Sequence, residues 1–362
     1  MRYRVLPRGG EKIGEIGLGL GAVTPNSDMF KILSYALEKD INFFDLCGAY
    51  DFIYPHIKTT LAKNRSKVFT QMHLGAIYKN GAYAFSRNLN TVKDTFLRIL
   101  DTTGLEYTDF GFLHCIDEEK DLNYVLEKGI FNLAEDLKRQ GIIRHLGFST
   151  HTPVIAEKLI NLGMFDLFMF SINAAFDFKK GDYAIGDYAQ RENLYRLAQS
   201  KEVAISAMKP FAGGQLLNAK LSPIGIALTP LQCISYVLER PAVITLVAGA
   251  TKVSDIDDYM RYFTASPNEL DYSVLGTAIS QDAKGRCLYC NHCSPCPKKI
   301  NVGLVNKYYD LSILGDPLAK EHYLNLEHHA GECNNCGHCD KRCPFKVEQI
   351  KKMHEISEYF GV

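Results

Sequence analysis

The sequence lacks the features that would tie a protein to a membrane or to a nucleic acid. Its 41 basic and 41 acidic side chains give a formal net charge of zero, so no global field attracts a polyanionic partner. It contains no apolar run of about 18 residues, and the N-terminal segment has no apolar stretch of the kind found in secretory signals. We therefore expect a cytoplasmic protein with a small-molecule substrate and a redox partner protein, and with neither a nucleic acid nor a membrane as partner.

Cysteine is scarce in the first 280 residues, where only Cys47, Cys115 and Cys233 occur. The other eight cysteines lie between residues 287 and 343. Cysteine clusters in cytosolic chains of this size more often bind metal or carry out redox chemistry than form disulfides. Cys47 and Cys115 follow predicted strands and are expected to be buried small hydrophobic residues, with catalytic nucleophiles as the alternative.

Short runs rich in β-formers alternate with amphipathic helical patterns from residue 16 onward, which is typical of repeated βα units. Eight such runs are present, and eight parallel strands at this spacing favour a closed (β/α)₈ barrel of the TIM type over an open sheet. The predicted strands cover residues 16–21, 41–46, 67–72, 109–114, 143–149, 167–173, 203–208 and 244–249.

The chain divides into one large and one small domain in this interpretation. Residues 1–265 form the barrel, opened by a hairpin that turns at Gly9 and Gly10 and covers its bottom. Residues 266–284 are expected to form a linker helix, because the segment ELDYSVLGTAISQ continues the helical pattern. Residues 285–362 form a small helical ferredoxin-like domain that contains the cysteine-rich tract.

The eight tail cysteines form two runs that each end in Cys-Pro. The second run, C-x2-C-x2-C-x3-C-P, matches the bacterial ferredoxin pattern, in which three cysteines bind one cluster and the fourth reaches the other. This spacing predicts two [4Fe–4S] clusters with crossed ligands. Two Cys₄ zinc sites are the alternative, although their ligands usually come as two separated C-x2-C pairs. The predicted ligands are Cys287, Cys290, Cys293 and Cys343 for one cluster, and Cys333, Cys336, Cys339 and Cys296 for the other.

The chain resembles the aldo/keto reductase family, in particular those members with a C-terminal dicluster ferredoxin domain. The segments that carry the resemblance are the opening hairpin with the first strand, INFFDLCGAY, DFGFLHCID, GIIRHLGFSTH, ISAMKPFAGGQLL, VAGATKVSDIDDYM and the two cysteine runs. The resemblance covers nearly the whole chain and implies a TIM barrel with its active site at the C-terminal ends of the strands.

The resemblance also implies hydride transfer from a nicotinamide cofactor, NADH or NADPH, to a carbonyl. In the family a Tyr protonates the developing alkoxide, a Lys paired with an Asp lowers the pKa of that Tyr, and a His orients the carbonyl. Asp45, Tyr50 and His114 match three of these positions. His73 stands where the family has its Lys.

Two arrangements of these four side chains are open from the sequence. In the first, Asp45 orients and charges His73, which hydrogen-bonds Tyr50 and assists its proton transfer. In the second, Asp45, His73 and His114 form a facial triad that binds a divalent metal.

Several positions that contact the cofactor in the family carry other residues here. Thr150 stands where the family usually has Asn, and Met169 stands where it has Gln. Gly249 and Asp255 occupy positions that often bring cations to the NADP 2′-phosphate, so we expect little discrimination against NADH. The cofactor-binding candidates are Ser149, Asn173, Met208, Gly249 and Lys252.

Two functions follow from these expectations. The first is an iron–sulfur oxidoreductase of aldo/keto reductase type that acts on a small carbonyl or related metabolite, with Tyr50 as proton donor. The second is an electron-transfer or docking protein built on a barrel that has lost carbonyl reductase activity. Hydride carries two electrons while each cluster passes one, so either the clusters serve assembly and docking, or the substrate accepts single electrons, or a further cofactor lies in the barrel mouth.

Overall fold

Eight parallel strands form a closed barrel at the centre of the protein. The structure, a computed structural model, describes residues 1–47, 50–79, 82–181, 184–279, 283–313, 316 and 318–362. The barrel consists of the third, fourth, fifth and eighth to twelfth strands, and the twelfth pairs with the third to close it. All eight expected strand runs are confirmed. The strands are β1 (Tyr3–Val5), β2 (Lys12–Gly14), β3 (Ile16–Gly19), β4 (Phe43–Asp45), β5 (Phe69–Leu74), β6 (Ala76–Lys79), β7 (Ala82–Phe85), β8 (Thr108–Leu113), β9 (Ile143–Thr150), β10 (Leu167–Ser171), β11 (Ala204–Met208) and β12 (Val243–Gly249).

Helices cover the outside of the barrel because each buries one apolar stripe against the strands. The predicted stripe on the helix after β7, formed by Val92, Phe96, Ile99 and Leu100, is buried. The α-helices are α1 (Met29–Glu38), α2 (Tyr54–Thr59), α3 (Leu89–Thr103), α4 (Glu119–Glu127), α5 (Ile130–Arg139), α6 (Pro153–Asn161), α7 (Ala174–Asp177), α8 (Tyr188–Ser200), α9 (Pro230–Leu238), α10 (Val253–Met260), α11 (Pro267–Leu270), α12 (Leu275–Ala278), α13 (Val302–Ser312), α14 (Ala319–Leu324), α15 (His338–Arg342) and α16 (Gln349–Phe360). Short 3₁₀ segments cover Leu20–Ala22, Asp51–Ile53, Ala62–Lys67, Ala212–Leu217, Arg261–Phe263 and Ala330–Glu332.

Large apolar side chains fill the barrel, so its interior is a packed core. They are Phe43, Phe110, Phe112, Leu167, Met169, Ala204, Ile244 and Val247. Gly147 on β9 makes room for the ring of Phe112, which a Cβ at that position would meet at 2.1 Å. Leu6 and Ile13 from the β1–β2 hairpin join this cluster, which confirms that the hairpin covers the bottom of the barrel.

Polar contacts attach the hairpin to the bottom of the barrel. His145 lies between two carboxylates, with Nε2 2.9 Å from Glu11 Oε1 and Nδ1 3.0 Å from Asp166 Oδ2. Burial opposes the charged form of His145, but its hydrogen bonds to Asp166 and Glu11 outweigh that effect and raise its pKa. The bottom of the barrel therefore carries a balanced group of charges whose role is structural.

The segment between the barrel and the cysteine tract is not the single linker helix that the sequence predicted. Two short helices, α11 and α12, flank residues 271–274, which are not helical. The backbone carbonyl of Asp271 accepts a hydrogen bond from Gln232, and the Tyr272 hydroxyl donates to the carbonyl of Leu288 at 2.7 Å. These tertiary contacts outweigh the local helical preference.

The cysteine-rich tail is helical between its two runs, as the sequence predicted. Helices α13, α14 and α16 pack around a small apolar core that includes Val305, Tyr323, Met353 and Phe360. The tail contacts the barrel near its bottom, where Arg240, placed between α9 and β12, donates to the carbonyl of Leu288. The tail also contacts the start of α8, where Arg286 lies 5.0 Å from the centre of the Tyr188 ring, so it packs along the side of the barrel.

Candidate active site and cysteine pockets

The C-terminal ends of the barrel strands, here called the mouth, bring together Asp45, His73 and Gln71. Asp45 is the last residue of β4. Gln71 and His73 are two residues apart on β5, so their side chains point to the same side of that strand. The Oδ1 atom of Asp45 lies 3.0 Å from His73 Nε2 and accepts a hydrogen bond of 2.9 Å from the Gln71 amide. The predicted pairing of Asp45 with His73 is thus present in the structure.

A continuous line of polar contacts runs on from His73. His114, directly after β8, places its Nδ1 atom 3.1 Å from His73 Nδ1, and its Nε2 atom contacts the hydroxyl of Tyr83 on β7. Because an ionised Asp45 only accepts, His73 donates from Nε2 and accepts at Nδ1 when both rings are neutral. His114 then donates from Nδ1 and accepts from Tyr83. We call Asp45, His73, His114 and Tyr83 the proton chain.

The two histidines of the proton chain are buried, with 6% of His73 and 5% of His114 exposed. Burial lowers the pKa of His114 well below its ordinary value, and the neighbouring His73 and Arg87 lower it further. Arg87 also donates to the backbone carbonyl of His114 at 2.7 Å while it pairs with Asp121. His114 is therefore neutral at physiological pH and can pass a proton between its two ring nitrogens.

Tyr50 lies outside the proton chain. Among the described residues its ring contacts are with Phe52, at a centroid distance of 5.7 Å, and with Tyr78, at 5.6 Å. The expected hydrogen bond from His73 to Tyr50 is not formed in the described part of the structure, because His73 directs its two nitrogens at Asp45 and His114. The tyrosine joined to the histidines is Tyr83, which the sequence analysis missed.

The predicted facial triad of Asp45, His73 and His114 is not assembled either. His73 uses opposite ring nitrogens for the two partners, so Asp45 and His114 cannot share one ion with it. The side chain that approaches the histidine pair is Cys47, whose Sγ lies 4.0 Å from His114 Nδ1.

A second polar group lies at the mouth beside the proton chain. Asp117 accepts hydrogen bonds from Thr150 and from the backbone of His151, and its Oδ2 lies 2.9 Å from His151 Nδ1. Although burial opposes ionisation, these contacts with His151 and Thr150 hold the pKa of Asp117 well below its usual range. Lys209 donates to His151 Nε2 at 2.8 Å, and burial lowers the pKa of Lys209 to about 8.

Cys47 and Cys115 are both partly buried. Burial raises the pKa of Cys47 well above its ordinary value and raises that of Cys115 to about 12, with Asp117 adding to the effect at Cys115. Both thiols are protonated at neutral pH and are poor nucleophiles. The structure therefore favours the expectation that neither acts as a catalytic nucleophile.

The tail cysteines line two separate pockets. Cys287, Cys290, Cys293 and Cys343 surround a space of about 290 Å³, here called the first cysteine pocket. Cys296, Cys333, Cys336 and Cys339 line the second cysteine pocket, a space of about 360 Å³ that Cys293 also borders. Each pocket combines cysteines from both sequence runs, with Cys343 reaching the first pocket and Cys296 the second, which is the crossed arrangement expected from the ferredoxin pattern.

The spacing of these sulfurs argues against a single ion in either pocket. In the described part of the chain, no three tail cysteines have ligand atoms within 4.8 Å of one another. A tetrahedral zinc ion with Zn–S bonds of about 2.3 Å holds its sulfurs about 3.8 Å apart. The tail sulfurs are therefore spaced more widely than the ligands of a tetrahedral zinc ion.

The family follows from comparison of the sequence with known proteins. The sequence pattern of the "Aldo/keto reductase family" matches residues 13–227, which is more than half of the chain. The chain belongs to the aldo/keto reductase family. The match lies within the barrel and does not include the cysteine-rich tail.

Individual relatives agree with this aldo/keto reductase assignment. "Uncharacterized oxidoreductase YqkF" of Bacillus subtilis is 22% identical over 318 residues, which cover 78% of this chain and 98% of the relative. The holo form of aldo-keto reductase AKR11C1 from Bacillus halodurans shares the fold with a TM-score of 0.60 at 18% identity, covering 75% of this chain and 94% of that structure. Its apo form gives a TM-score of 0.56 at 17% identity, with the same coverage.

The protein is an oxidoreductase of this family, and a small-molecule substrate is consistent with that assignment. Within the part of the chain that the structure describes, no helix combines the length and the apolar character needed to cross a bilayer.

The cofactor candidates on β9 and after β10 make contacts within this aldo/keto reductase, as does Met169 on β10. The Ser149 hydroxyl accepts from the backbone of Cys115 at 2.7 Å. Asn173 caps α7 with its carbonyl oxygen and donates from its amide to the carbonyl of Lys209. The sulfur of Met169 contacts the Gln71 amide at 3.7 Å.

The remaining cofactor candidates lie at the ends of β11 and β12. Met208 ends β11 and is partly exposed, while Gly249 ends β12 where a Cβ would meet Ala22 at 2.6 Å. Lys252 precedes α10, and Asp255 uses its Oδ2 atom to accept from the backbone of Lys252 and from Thr251. The carboxylate of Asp255 therefore occupies the start of α10, where a phosphate would otherwise be favoured.

Several residues of the mouth were missed from the sequence for different reasons. Gln71 could have been found, because it precedes His73 by two residues on the same face of β5. His151 follows β9 directly and Asp117 lies in the loop after β8, and strand ends at the mouth are where functional residues of this fold occur. Tyr83 carried no such signal, since it belongs to the β6–β7 hairpin, which is additional to the barrel repeat.

Proposed function

We propose that this aldo/keto reductase is an iron–sulfur oxidoreductase that reduces a small carbonyl or related metabolite at the barrel mouth. The observation that carries the proposal is the unbroken line of contacts from Asp45 through His73 and His114 to Tyr83. General acids that protonate a developing alkoxide need such a supply of protons.

The proton chain can deliver one proton without any change in heavy-atom positions. When His73 is an imidazolium, it donates from Nε2 to Asp45 and from Nδ1 to His114, and His114 donates from Nε2 to Tyr83. The Tyr83 hydroxyl then directs its own hydrogen away from His114 and toward the substrate oxygen. Transfer of that hydrogen is followed by a shift of one proton along each link, which leaves both histidines neutral.

Asp45 takes the role of fixing and charging the histidine that replaces the family's Lys. A histidine can replace the charged Lys only if a carboxylate stabilises the imidazolium form, because the ordinary pKa of histidine lies near 6.5. Gln71 supports this arrangement by donating to Asp45, and Ser206 in turn donates to the Gln71 side-chain oxygen at 3.0 Å. Gln71 thereby holds the Asp45 carboxylate directly, and Ser206 holds the Gln71 side chain.

The tail would hold two [4Fe–4S] clusters in this proposal. The cysteines of the first and second pockets supply four thiolates each, and the clusters would supply single-electron transfer. The proposed division of the chain is a barrel of residues 1–265, a connection of residues 266–284 and a cluster domain of residues 285–362, with a redox partner protein as the source or the acceptor of electrons.

The residues at the nicotinamide positions fit that cofactor poorly. Asn173 uses both ends of its amide within the protein, and the Asp255 carboxylate lies where the 2′-phosphate of NADP would be. We therefore derive no step through a nicotinamide, although such a cofactor would supply hydride if it binds.

An electron-transfer or docking protein is the second candidate. It is favoured by the poor fit of the nicotinamide positions, where Asn173 and Asp255 are engaged in contacts within the protein.

Turnover by anaerobically purified protein separates the two candidates. We would supply NADH, NADPH or a chemically reduced one-electron donor and follow reduction of small aldehydes and ketones. The proposed oxidoreductase should turn over at least one of them, with a loss of about 10²-fold or more in Asp45→Asn. His73→Lys, which restores the family's residue, should preserve or raise that activity.

Failure of the wild type and of His73→Lys with every donor would contradict the carbonyl reductase proposal and support the second candidate. Equal activity in the wild type and Asp45→Asn would show that the proton chain does not serve the reaction. Iron content and the circular dichroism spectrum of each variant should match those of the wild type, so that a loss of activity is not a loss of fold.

A further inference from the structure

We infer that Cys47, His73 and His114 form a three-ligand site for Zn²⁺ at the barrel mouth. One ligand atom from each residue lies within 4.8 Å of the other two. Within this group the two Nδ1 atoms are 3.1 Å apart, and the Cys47 sulfur is 4.0 Å from His114 Nδ1. The site differs from the facial triad considered from the sequence, because a thiol takes the place of the carboxylate.

These distances are close to those that a bound zinc ion imposes. Tetrahedral zinc with bonds of about 2.0 to 2.1 Å to nitrogen and about 2.3 Å to sulfur separates two nitrogens by about 3.3 Å. It separates a nitrogen from the sulfur by about 3.6 Å. The histidine pair therefore needs almost no adjustment, whereas the Cys47 sulfur must move closer both to His114 Nδ1, which is 4.0 Å away, and to the His73 ligand atom, which lies within 4.8 Å.

Each histidine has a partner on the ring nitrogen that faces away from the proposed ion. His73 Nε2 lies 3.0 Å from the Asp45 carboxylate, and His114 Nε2 contacts the hydroxyl of Tyr83. Metal-bound histidines usually have such a partner, because it fixes the tautomer and the ring orientation. Three protein ligands would leave one tetrahedral position for water or for a substrate oxygen.

A neighbouring group, Cys115, Asp117 and His151, also has ligand atoms within 4.8 Å of one another. Its geometry suits a cation less well. Lys209 places its amine 2.8 Å from His151 Nε2, and Asp117 is already bound by Thr150 and by the His151 backbone. Arg87 lies near His114 and Lys209 lies near Cys47 in the first group, but the donor set of one sulfur and two nitrogens suits zinc.

Zinc and the proton chain would exclude each other. Binding requires a thiolate at Cys47 and bare Nδ1 atoms on both histidines, so the neutral site releases one proton from Cys47, while the Nδ1 proton of His114 moves to its Nε2 atom and is donated there to the Tyr83 hydroxyl oxygen. Zinc would thereby interrupt proton transfer from His73 to His114. The zinc site does not depend on the proposed reaction, because binding and proton release can be measured without any substrate.

X-ray absorption at the zinc edge tests the site without interference from iron. Anaerobic protein with its iron intact would be equilibrated with one equivalent of Zn²⁺ and freed of unbound metal. We expect about one retained zinc with one sulfur near 2.3 Å and two imidazole nitrogens near 2.0 to 2.1 Å. Cys47→Ser should remove the sulfur signal and weaken binding at least tenfold, while Asp45→Asn should weaken it about 10- to 100-fold.

Cys115→Ser is the matched control and should leave both the spectrum and the affinity unchanged. A spectrum with four sulfurs would place the zinc in the tail, and loss of the sulfur signal in Cys115→Ser would place it in the neighbouring group. Either result, or the absence of retained zinc, would overturn the proposal. Unchanged iron content and circular dichroism would show that the variants are folded.

Discussion

The barrel mouth and the cysteine-rich tail differ in how closely their reactive side chains approach one another. At the mouth, Asp45, His73 and His114 are joined to one another by distances of 3.0 to 3.1 Å. In the tail, eight cysteines face two pockets, and no three of these described thiols approach one another within 4.8 Å. The mouth is thus organised by hydrogen bonds within the protein, whereas the tail cysteines line two pockets and are spaced more widely than the ligands of a single ion.

This difference implies that the two regions should respond differently to substitution. Removal of one side chain at the mouth alters proton supply but leaves a barrel with a large apolar core. If the pockets hold the proposed clusters, removal of one ligand would take away a bond that holds two distant segments of the tail together, since each pocket uses cysteines from both runs. Structural metal sites contribute directly to folding energy.

The largest expected effect is that of Cys343→Ala. If Cys343 completes the cluster of Cys287, Cys290 and Cys293, iron should fall from about eight to about four atoms per chain. Cys233→Ala, which alters a buried cysteine of α9, is the control and should leave iron unchanged.

Double variants test which cysteines share a cluster. Cys287→Ala combined with Cys343→Ala should lose no more iron than either single change. Cys333→Ala combined with Cys343→Ala should lose nearly all of it. Retention of about four irons in the second double variant would reverse the proposed pairing.

A smaller effect is expected at the mouth, where Tyr83→Phe and Tyr50→Phe form a matched pair. Tyr83 contacts His114, whereas Tyr50 packs on Phe52 and Tyr78. Tyr83→Phe should lower kcat about 10²-fold, because it removes the last group of the proton chain. Tyr50→Phe should change kcat less than about tenfold, and the opposite order would restore Tyr50 as the proton donor.

The smallest expected effect lies at the bottom of the barrel and depends on pH. The pKa of His145 is raised in the folded protein, so its pairing with Asp166 and Glu11 stabilises the fold. This contribution is fully present at pH values below the pKa that His145 has in the unfolded chain. That contribution is lost as the pH rises through the folded pKa. We expect His145→Gln to lower the free energy of unfolding by about 1 kcal/mol near pH 5.5 and by less near pH 8.5.

Urea unfolding followed by circular dichroism at the two pH values measures this difference. Glu11→Gln should reproduce part of the effect, since it removes one of the two carboxylates that contact His145. An equal loss of stability at both pH values would show that the His145 contribution does not come from its charge.

The barrel could be predicted from the sequence because its signals are local and repeated. Each of the eight runs combines β-forming residues with a following helical pattern, and the mouth residues Asp45 and His114 lie at the ends of such runs. The linker helix could not be predicted correctly. Residues 271–273 are helix-compatible by pattern, but contacts with Gln232 and Leu288, far apart in sequence, hold them in another conformation.

The candidate site was predicted in part. The contact between Asp45 and His73 followed from the ends of neighbouring strands, and the crossing of cysteines between pockets followed from the ferredoxin spacing. The position of Tyr83 did not follow, because the β6–β7 hairpin has no counterpart in the repeated βα pattern. Nor could the sequence show which ring nitrogen of His73 faces Asp45, and that choice decides between a proton chain and a facial triad.

Iron and acid-labile sulfide in anaerobically purified protein test the contrast between mouth and tail most directly. Two four-iron clusters predict about eight irons and about eight sulfides per chain, together with broad visible absorbance that air bleaches. A chain that carries zinc in place of iron, or about half of this iron and sulfide, would contradict the account of the cysteine pockets.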